Sequence, residues 1–185
     1  MGLLVLNPGI MQRVELIGYD YLIMNTEPVQ NENILIVDLD EETLKAYGGW
    51  PLPRSLYGDL ITSTNAINGF TVLMPNSDLR GKEYDDYFAM RMQYKPTVLA
   101  SAASTQVTGI NPHVGTAQLG EDPTPWLYKY PGILPTVSTL EAKAQGLGLV
   151  TATPEIDGVT RRIPLVVNVE SKLYPSFALE LLRVA

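Results

Sequence analysis

The sequence predicts an α/β domain with a central mixed β-sheet flanked by helices, and with a C-terminal β-hairpin and helix. The segment 34–39 opens with four apolar residues that do not alternate with polar ones, which is typical of a strand buried on both faces. Capped helical segments alternate with further short apolar runs, and this spacing suits parallel strands. Near the C-terminus Asp157-Gly158 lies between two β-rich runs, and Asp-Gly favours the tight turn of a hairpin.

The N-terminal elements are predicted from helical spacing and from capping residues. Apolar residues recur at helical spacing over 11–24, which predicts a first helix. Asp40 can cap the short acidic helix that follows the strand at 34–39, and Gly48-Gly49 is predicted to end that helix. Pro53 suits the first turn of the next helix, because it lacks an N–H and its φ angle is already helical.

The later elements alternate between short apolar runs and helices until glycine and proline crowd the segment 108–135. A long irregular segment inside a compact domain is usually functional or disordered. Ser138 and Glu141 stand at the spacing of a capping box, which predicts a helix that begins there. The elements predicted after residue 69 are a strand at 70–74, a helix at 84–93, a strand at 97–103, a helix from Ser138 to Gly146, hairpin strands at 147–152 and 160–169, and a last helix opened by Tyr174-Pro175-Ser176.

Length and composition limit the classes of protein that the chain can belong to. With 185 residues, 45% of them hydrophobic, we expect residues 1–30 to form an N-terminal helix and linker and residues 31–185 to form one α/β domain. The net charge of −7 argues against a nucleic-acid partner, because phosphate contacts need clustered lysine and arginine. Cysteine is absent, so disulfides and thiolate sites are excluded. No apolar run approaches the roughly 18 residues that span a bilayer.

The segment Trp50-Pro51-Leu52-Pro53-Arg54 is the strongest candidate for a binding site. Its prolines fix φ and remove backbone donors, so Trp50 and Arg54 are presented on a stiff connection. The Arg54 guanidinium can pair bidentately with a carboxylate, either in an internal salt bridge to Asp38 or Asp40, which is the favoured interpretation, or in an anionic ligand. Arg161 and Arg162 point to opposite faces if they lie on a strand, so at most one of them faces a pocket.

An enzymatic alternative uses the acidic pair Asp38 and Asp40. The pair resembles the opening motif of haloacid dehalogenase-like phosphatases, in which the first carboxylate attacks phosphorus beside a magnesium ion, at the end of a strand. That motif expects threonine or valine where this chain has Glu42, and capping by Asp40 explains the cluster without catalysis. His113, the single histidine, lies in the proline-rich loop without a nucleophile elbow, and no glycine-rich phosphate loop is present. We therefore expect no cofactor and no metal.

Four blocks of sequence resemble the type 2 CHASE domain, a bacterial sensory module found outside the membrane in adenylate cyclases, histidine kinases and diguanylate cyclases. The likeness runs from about residue 14 to the C-terminus, with Leu52 in place of a second aromatic residue and 73–76 in place of an Asp and Phe. The matching blocks are Asp38-Leu39-Asp40, the residues 49–54, the residues 157–165 and the residues 173–179.

The resemblance implies an extracytoplasmic, periplasmic or extracellular, signal-sensing domain of a transmembrane receptor with no activity of its own. Membrane helices would flank the domain outside this chain, and an unknown small ligand or periplasmic protein would be its partner. We expect that partner to bind beside Trp50, Arg54 and the loop 108–135, with Asp38 and Arg162 as further ligand-binding residues. A homodimer is compatible with this role. A non-catalytic dimerisation module built on the N-terminal helix is the remaining alternative.

Overall fold

The computed structural model describes residues 8–29, 31–109 and 118–185, which form six helices, seven strands and a 3-10 turn at Thr124–Trp126. The helices are α1 (Pro8–Met24), α2 (Glu41–Ala46), α3 (Arg54–Ser63), α4 (Lys82–Met92), α5 (Ser138–Glu141) and α6 (Phe177–Val184). The strands are β1 (Asn68–Phe70), β2 (Thr97–Ser104), β3 (Lys129–Tyr130), β4 (Gly132–Leu134), β5 (Gly146–Leu149), β6 (Val166–Val169) and β7 (Lys172–Pro175).

Strand β2 occupies the centre of the larger sheet. It pairs in parallel with β1, where Gly69 lies opposite Val98, and in parallel with β5, where Leu99 lies opposite Leu147. Its C-terminal end pairs antiparallel with β4, where Ala103 lies opposite Ile133. Parallel neighbours need long crossovers, and α4 supplies the one between β1 and β2. The predicted mixed sheet flanked by helices is confirmed.

Helices α3 and α4 pack on one face of this sheet through an aromatic cluster. The ring centroids of Tyr57 and Phe70 lie 5.6 Å apart, and those of Phe70 and Phe88 lie 5.2 Å apart in an edge-on arrangement. Ile61, Phe88 and Met92 are fully buried. Burying a large apolar side chain contributes about 1.5–3 kcal/mol, so this face carries much of the stability of the domain.

Helix α6 covers the opposite face and lies directly on glycines of the sheet. A Cβ atom at Gly148 would overlap the Cα of Phe177 and lie 2.9 Å from its backbone nitrogen. A Cβ at Gly69 would lie 2.9 Å from Cζ of Phe177. The last helix begins after Tyr174-Pro175-Ser176, as predicted, and Ser176 caps it by accepting a hydrogen bond of 3.2 Å from the Leu179 N–H. Small residues in the sheet therefore set how closely α6 approaches.

The smaller sheet contains β3, β6 and β7 and includes the C-terminal hairpin. Strands β6 and β7 pair antiparallel through a turn at Glu170 and Ser171, whose φ angles are 48° and 67°. The hairpin predicted from 147–152 and 160–169 is wrong in its strands, because β5 pairs with β2 instead. The Asp157-Gly158 turn does form, with Gly158 at φ 82°, but it joins segments that are not strands. An Asp-Gly pair specifies a turn and not the strands on either side of it.

The apolar run at 34–39 is not the predicted central strand. It belongs to no strand: Ile34, Leu35, Ile36 and Val37 are 67, 82, 85 and 59% exposed, and only Leu39 packs against the core. The parallel pair expected between this run and 70–74 does not form, since β1 takes β2 as its parallel partner. An apolar run predicts a tendency to be buried, but it does not say which partner buries it.

Smaller differences concern the ends of elements. Helix α1 is confirmed, although the stripe that predicted it points outward: only Leu16 is buried in the described part of that helix. Helix α5 has four residues, and its N-cap is Val137 and not Ser138, so the helix does not begin at the predicted cap. The segment 108–135 includes β3 and β4, while His113 lies outside the described residues. No helix in the described ranges is both long and apolar enough to cross a membrane.

We predict that Gly148→Ala destabilises the domain by about 1–3 kcal/mol, because the added methyl group forces α6 away from β5. Gly18→Ala is the matched control, since a Cβ at Gly18 meets no atom within 4 Å and alanine is the better helix former. Gly18→Ala should stabilise α1 by about 0.5–1 kcal/mol. Urea unfolding measures both values. Equal stability of Gly148→Ala and the unsubstituted protein would contradict the close packing of α6.

Candidate functional site

The turn that presents Trp50 is built by the two ends of helix α2. At its start, the Asp40 carboxylate accepts a hydrogen bond of 2.8 Å from the Thr43 N–H, as predicted, and this bond lowers the pKa of Asp40. At its end, Gly48 and Gly49 adopt φ angles of 85° and 95°, and the Gly49 N–H donates to the Leu44 carbonyl at 2.7 Å. Left-handed backbone of this kind favours glycine. The chain therefore turns sharply and leaves Trp50 60% exposed.

A shallow depression of about 370 Å³ lies between α2 and the Trp50 turn. The indole of Trp50 and the side chain of Leu44 supply apolar surface, and Lys45 and Glu41 supply one charge of each sign. The Lys45 ammonium lies 4.0 Å from the Glu41 carboxylate. Such a surface can bind a small ligand through an aromatic face and a charged edge. The residues that line it are Glu41, Leu44, Lys45, Gly48, Gly49 and Trp50.

Arg54 forms an internal salt bridge, but its partner is Asp85 and not Asp38 or Asp40. The guanidinium donates to the Asp85 carboxylate and to the Asn76 carbonyl. Its side chain is 9% exposed and that of Asp85 is fully buried. The predicted partners are wrong because the run at 34–39 is exposed and lies outside the sheet.

Asp78 and Arg80 extend this network to the other end of the proline segment. The Asp78 carboxylate accepts the Arg54 N–H at 2.8 Å, and the Asp78 N–H donates to both oxygens of Asp85 at 3.2 and 3.3 Å. Arg80 donates to the Pro51 carbonyl at 3.0 Å. We call Arg54, Asp78, Arg80 and Asp85 the Arg54 network. It fixes both ends of the segment that carries Trp50.

A second ionic cluster, which sequence analysis missed, joins α1 to the turn at 155–159. Arg161 donates to both carboxylate oxygens of Asp20 on α1, at 2.6 and 2.7 Å. It also donates to Asp157 at 2.7 and 3.0 Å and to Glu155 at 3.3 Å. The Arg161 side chain is only 7% exposed. We call Arg161 and these three carboxylates the Arg161 junction.

The hydrogen bonds of the Arg161 junction shift the pKa values of the residues that form it. Hydrogen bonds from Arg161 lower the pKa of Asp157 to about 2 and hold the pKa of Asp20 below its ordinary value. The same bonds raise the pKa of Arg161 above its already high value. No local spacing signals this contact, because Asp20 and Arg161 lie 141 residues apart in the chain.

Arg161 and Arg162 do not lie on a strand, and both pair with the Glu155 carboxylate. Within the described chain, Arg162 does not join the Trp50 turn by any hydrogen bond or ion pair. Its side chain is 65% exposed and lies 3.3 Å from a Glu155 oxygen. Its guanidinium lies 5.6 Å from the centre of the Tyr19 ring on α1. The structure thus places Arg162 beside α1, Trp50 and Arg54 together on the proline segment, and Asp38 at the exposed end of 34–38.

Comparison with protein families gives one decisive finding: the model of the CHASE2 domain matches residues 1–185. The chain belongs to the CHASE2 family. CHASE2 domains are extracellular sensory domains of receptors, so the predicted resemblance and the general sensory role are confirmed. Neither the curated proteins nor the solved structures that were compared with the chain gave a match.

The geometry of this CHASE2 domain does not support the phosphatase alternative. Catalysis there needs Asp38 and Asp40 at the end of a sheet strand, but 34–39 is not a strand and Asp40 caps α2. Within the described ranges, no three histidine, cysteine or acidic residues are grouped so that they could hold a metal ion.

We predict that Arg54→Ala destabilises the CHASE2 domain by about 3–5 kcal/mol, because it leaves the buried Asp85 carboxylate without its cation. Asp86→Ala is the matched control on the same helix. It removes an exposed pair with Lys82 and should cost no more than about 0.5 kcal/mol. Urea unfolding compares the two variants. A loss for Arg54→Ala as small as that for Asp86→Ala would contradict the role of the Arg54 network.

We predict that Asp157→Asn changes how stability depends on pH. The folded protein lowers the pKa of Asp157 from 3.8 to about 2, so its stabilising effect is present above 3.8 and is lost as pH falls toward 2. Asparagine keeps an oxygen that can accept the Val159 N–H, so the variant removes mainly the charge. The free energies of unfolding of the two proteins, measured against pH, should converge toward pH 2. A constant difference across that range would count against the Arg161 junction.

Proposed function

We propose that this CHASE2 domain is the extracytoplasmic signal-sensing domain of a transmembrane receptor. It binds a small ligand or a periplasmic protein, and it transmits binding across the membrane through its first and last helices, α1 and α6. The output is a change in the activity of an adenylate cyclase, histidine kinase or diguanylate cyclase. The domain itself carries out no catalysis in this proposal.

One observation carries the proposal: α1 is attached to the α/β body mainly through the Arg161 junction. Most of the described side chains of α1 are exposed, and Leu16 alone is buried. The Arg161 guanidinium donates hydrogen bonds to both carboxylate oxygens of Asp20, and it also binds Asp157 and Glu155. A ligand can shift an equilibrium only if it favours one of two arrangements. Breaking the Arg161 junction would leave α1 attached through the buried Leu16 and the contact of Tyr19 with Arg162, and in this proposal that is the second arrangement.

The Trp50 depression is the ligand site that the proposal favours. The Trp50 ring that lines it is exposed, and the hydrogen bonds of the Arg54 network hold the proline segment in place. Arg54 therefore acts on a ligand indirectly, by fixing the position of Trp50. Asp38 and Arg162 stay predictions as ligand-binding residues, and Arg162 contacts Tyr19 of α1 and Glu155 of the Arg161 junction.

The location is tested with the complete gene product in its own membrane. The chain contains no cysteine, so a single Tyr94→Cys substitution, at a position 76% exposed, gives this domain one reactive thiol. We expect a membrane-impermeant maleimide to label that thiol on intact cells, above the level seen in the protein without the substitution. Labelling that requires cell lysis would contradict an extracytoplasmic domain.

The ligand site is tested by Trp50→Ala in the same complete protein. Because Trp50 is exposed, its removal should leave folding intact and alter the output activity, measured as the nucleotide product or as autophosphorylation. Tyr94→Ala is the control, because it removes an exposed aromatic ring that does not line the Trp50 depression. If both variants responded like the unsubstituted receptor, the depression would not be the sensing site.

A further inference from the structure

The last helix, α6, meets the larger sheet through a buried carboxylate. The Glu180 side chain is 1% exposed and lies against strand β5, where Gly146 and Gly148 lack side chains. A Cβ atom at Gly146 would overlap the Oε1 atom of Glu180 and would lie 2.7 Å from its Cγ atom. Glycine at position 146 therefore makes room for the Glu180 carboxylate.

Arg183 supplies the positive charge that a buried carboxylate needs. Its guanidinium lies one turn farther along α6 and donates to the two oxygens of Glu180 at 2.7 and 2.8 Å. The same guanidinium donates to the Gln145 carbonyl at 2.7 Å. We call Gln145, Gly146, Glu180 and Arg183 the α6 anchor. It holds the last turn of α6 against the start of β5.

The first turn of α6 is also bound to the strands. The Ser176 N–H donates to the Leu165 carbonyl at 2.7 Å, and Ser176 forms a parallel bridge with Leu149 of β5. At the other end of the helix, Gln145 is itself tied to the start of β2. Its N–H donates to the Thr97 carbonyl at 2.9 Å, and its side-chain oxygen accepts the Thr97 N–H at 2.6 Å. The eight residues of α6 are therefore held on the sheet at both ends.

Helix α1 is held by fewer buried groups than α6. Asp20, through which the Arg161 junction reaches α1, has a side chain that is 45% exposed. In the described part of α1, Leu16 is the single buried side chain. Elements with few buried contacts open at a lower free energy than elements packed in the core. The two helices that transmit binding in the proposed function are therefore attached unequally.

We propose that the α6 anchor keeps α6 fixed on the sheet during signalling, so that the signal is a change in the position of α1 relative to α6. This inference rests on the proposed function, because it gives different parts to the two transmitting helices. A ligand that favours the broken Arg161 junction would move α1 and leave the sheet packed as it is. Glu180 and Arg183 act as positioning residues for α6.

Paired substitutions test the α6 anchor. Gly146→Ala should displace the Glu180 carboxylate, so it disturbs the same contact as Glu180→Ala. We expect the double variant to lose less in its urea midpoint than the sum of the two single losses. Gly148→Ala is the matched control, because its methyl group meets the backbone of Phe177, and its loss should add to that of Glu180→Ala. Additive losses for Gly146→Ala and Glu180→Ala would overturn the anchor.

Pulsed electron paramagnetic resonance shows which helix moves. A nitroxide at Tyr94→Cys, after α4, is paired with one at Gln12→Cys on α1 or at Leu182→Cys on α6. With Arg161→Ala, the distances between positions 94 and 12 should broaden, and those between 94 and 182 should stay narrow. With Glu180→Ala, the distances between 94 and 182 should broaden.

The two Arg161→Ala distributions decide the proposal without any change in the α6 anchor. Broadening between positions 94 and 182, or none between 94 and 12, would overturn it. An unchanged distribution between 94 and 182 in Glu180→Ala would also overturn the role of the anchor. Failure of the proposed function is observed separately, as maleimide labelling that requires cell lysis, and would leave these distances unchanged.

Discussion

The buried pair of Arg54 and Asp85 is the constraint on which the proposed sensory surface depends. A charge removed from water must be paired and hydrogen-bonded, and the carboxylate of Asp85 is fully buried. It accepts hydrogen bonds from the Arg54 guanidinium and from the Asp78 N–H, and the Asp78 carboxylate in turn accepts the Arg54 N–H at the start of α3. These hydrogen bonds hold the proline segment in place, and Trp50 is the exposed first residue of that segment. A rigid support lets an exposed ring keep one orientation without being buried itself.

The sequence was sufficient to predict the class of the fold, but it could not assign the partners of individual strands. The capping of α2 by Asp40 was predicted because such a bond spans only three residues, and the start of α6 after Tyr174-Pro175-Ser176 was predicted from equally local residues. The segment 34–39 is predicted as the central strand because its apolar residues do not alternate with polar ones, whereas the strand that occupies the centre, β2, is rich in alanine and serine. Pairing is decided by contacts between distant segments. Local composition records only that a segment prefers to be buried.

For the site, as for the fold, the sequence predicted the local features but not the contacts between distant segments. The stiff presentation of Trp50 and Arg54 followed from two prolines, and a salt bridge of Arg54 followed from its chemistry. Its partner did not, because Asp85 lies 31 residues farther along the chain and many carboxylates were equally plausible. The Arg161 junction was missed for the same reason. Family membership extends over all 185 residues, yet it identifies the sensory role without naming a ligand or the contacts that transmit a signal.

The two ionic centres have different consequences. The Arg54 network is buried within one body and makes it rigid, whereas the Arg161 junction connects that body to a helix that is otherwise mostly exposed. The central claim is that Arg161 sets the position of α1. Nitroxides at Gln12→Cys on α1 and Leu182→Cys on α6, in protein diluted with unlabelled chain, test it by pulsed electron paramagnetic resonance. We expect a narrow distance distribution that broadens with Arg161→Ala and stays narrow with Arg162→Ala. An unchanged distribution in Arg161→Ala would contradict the account.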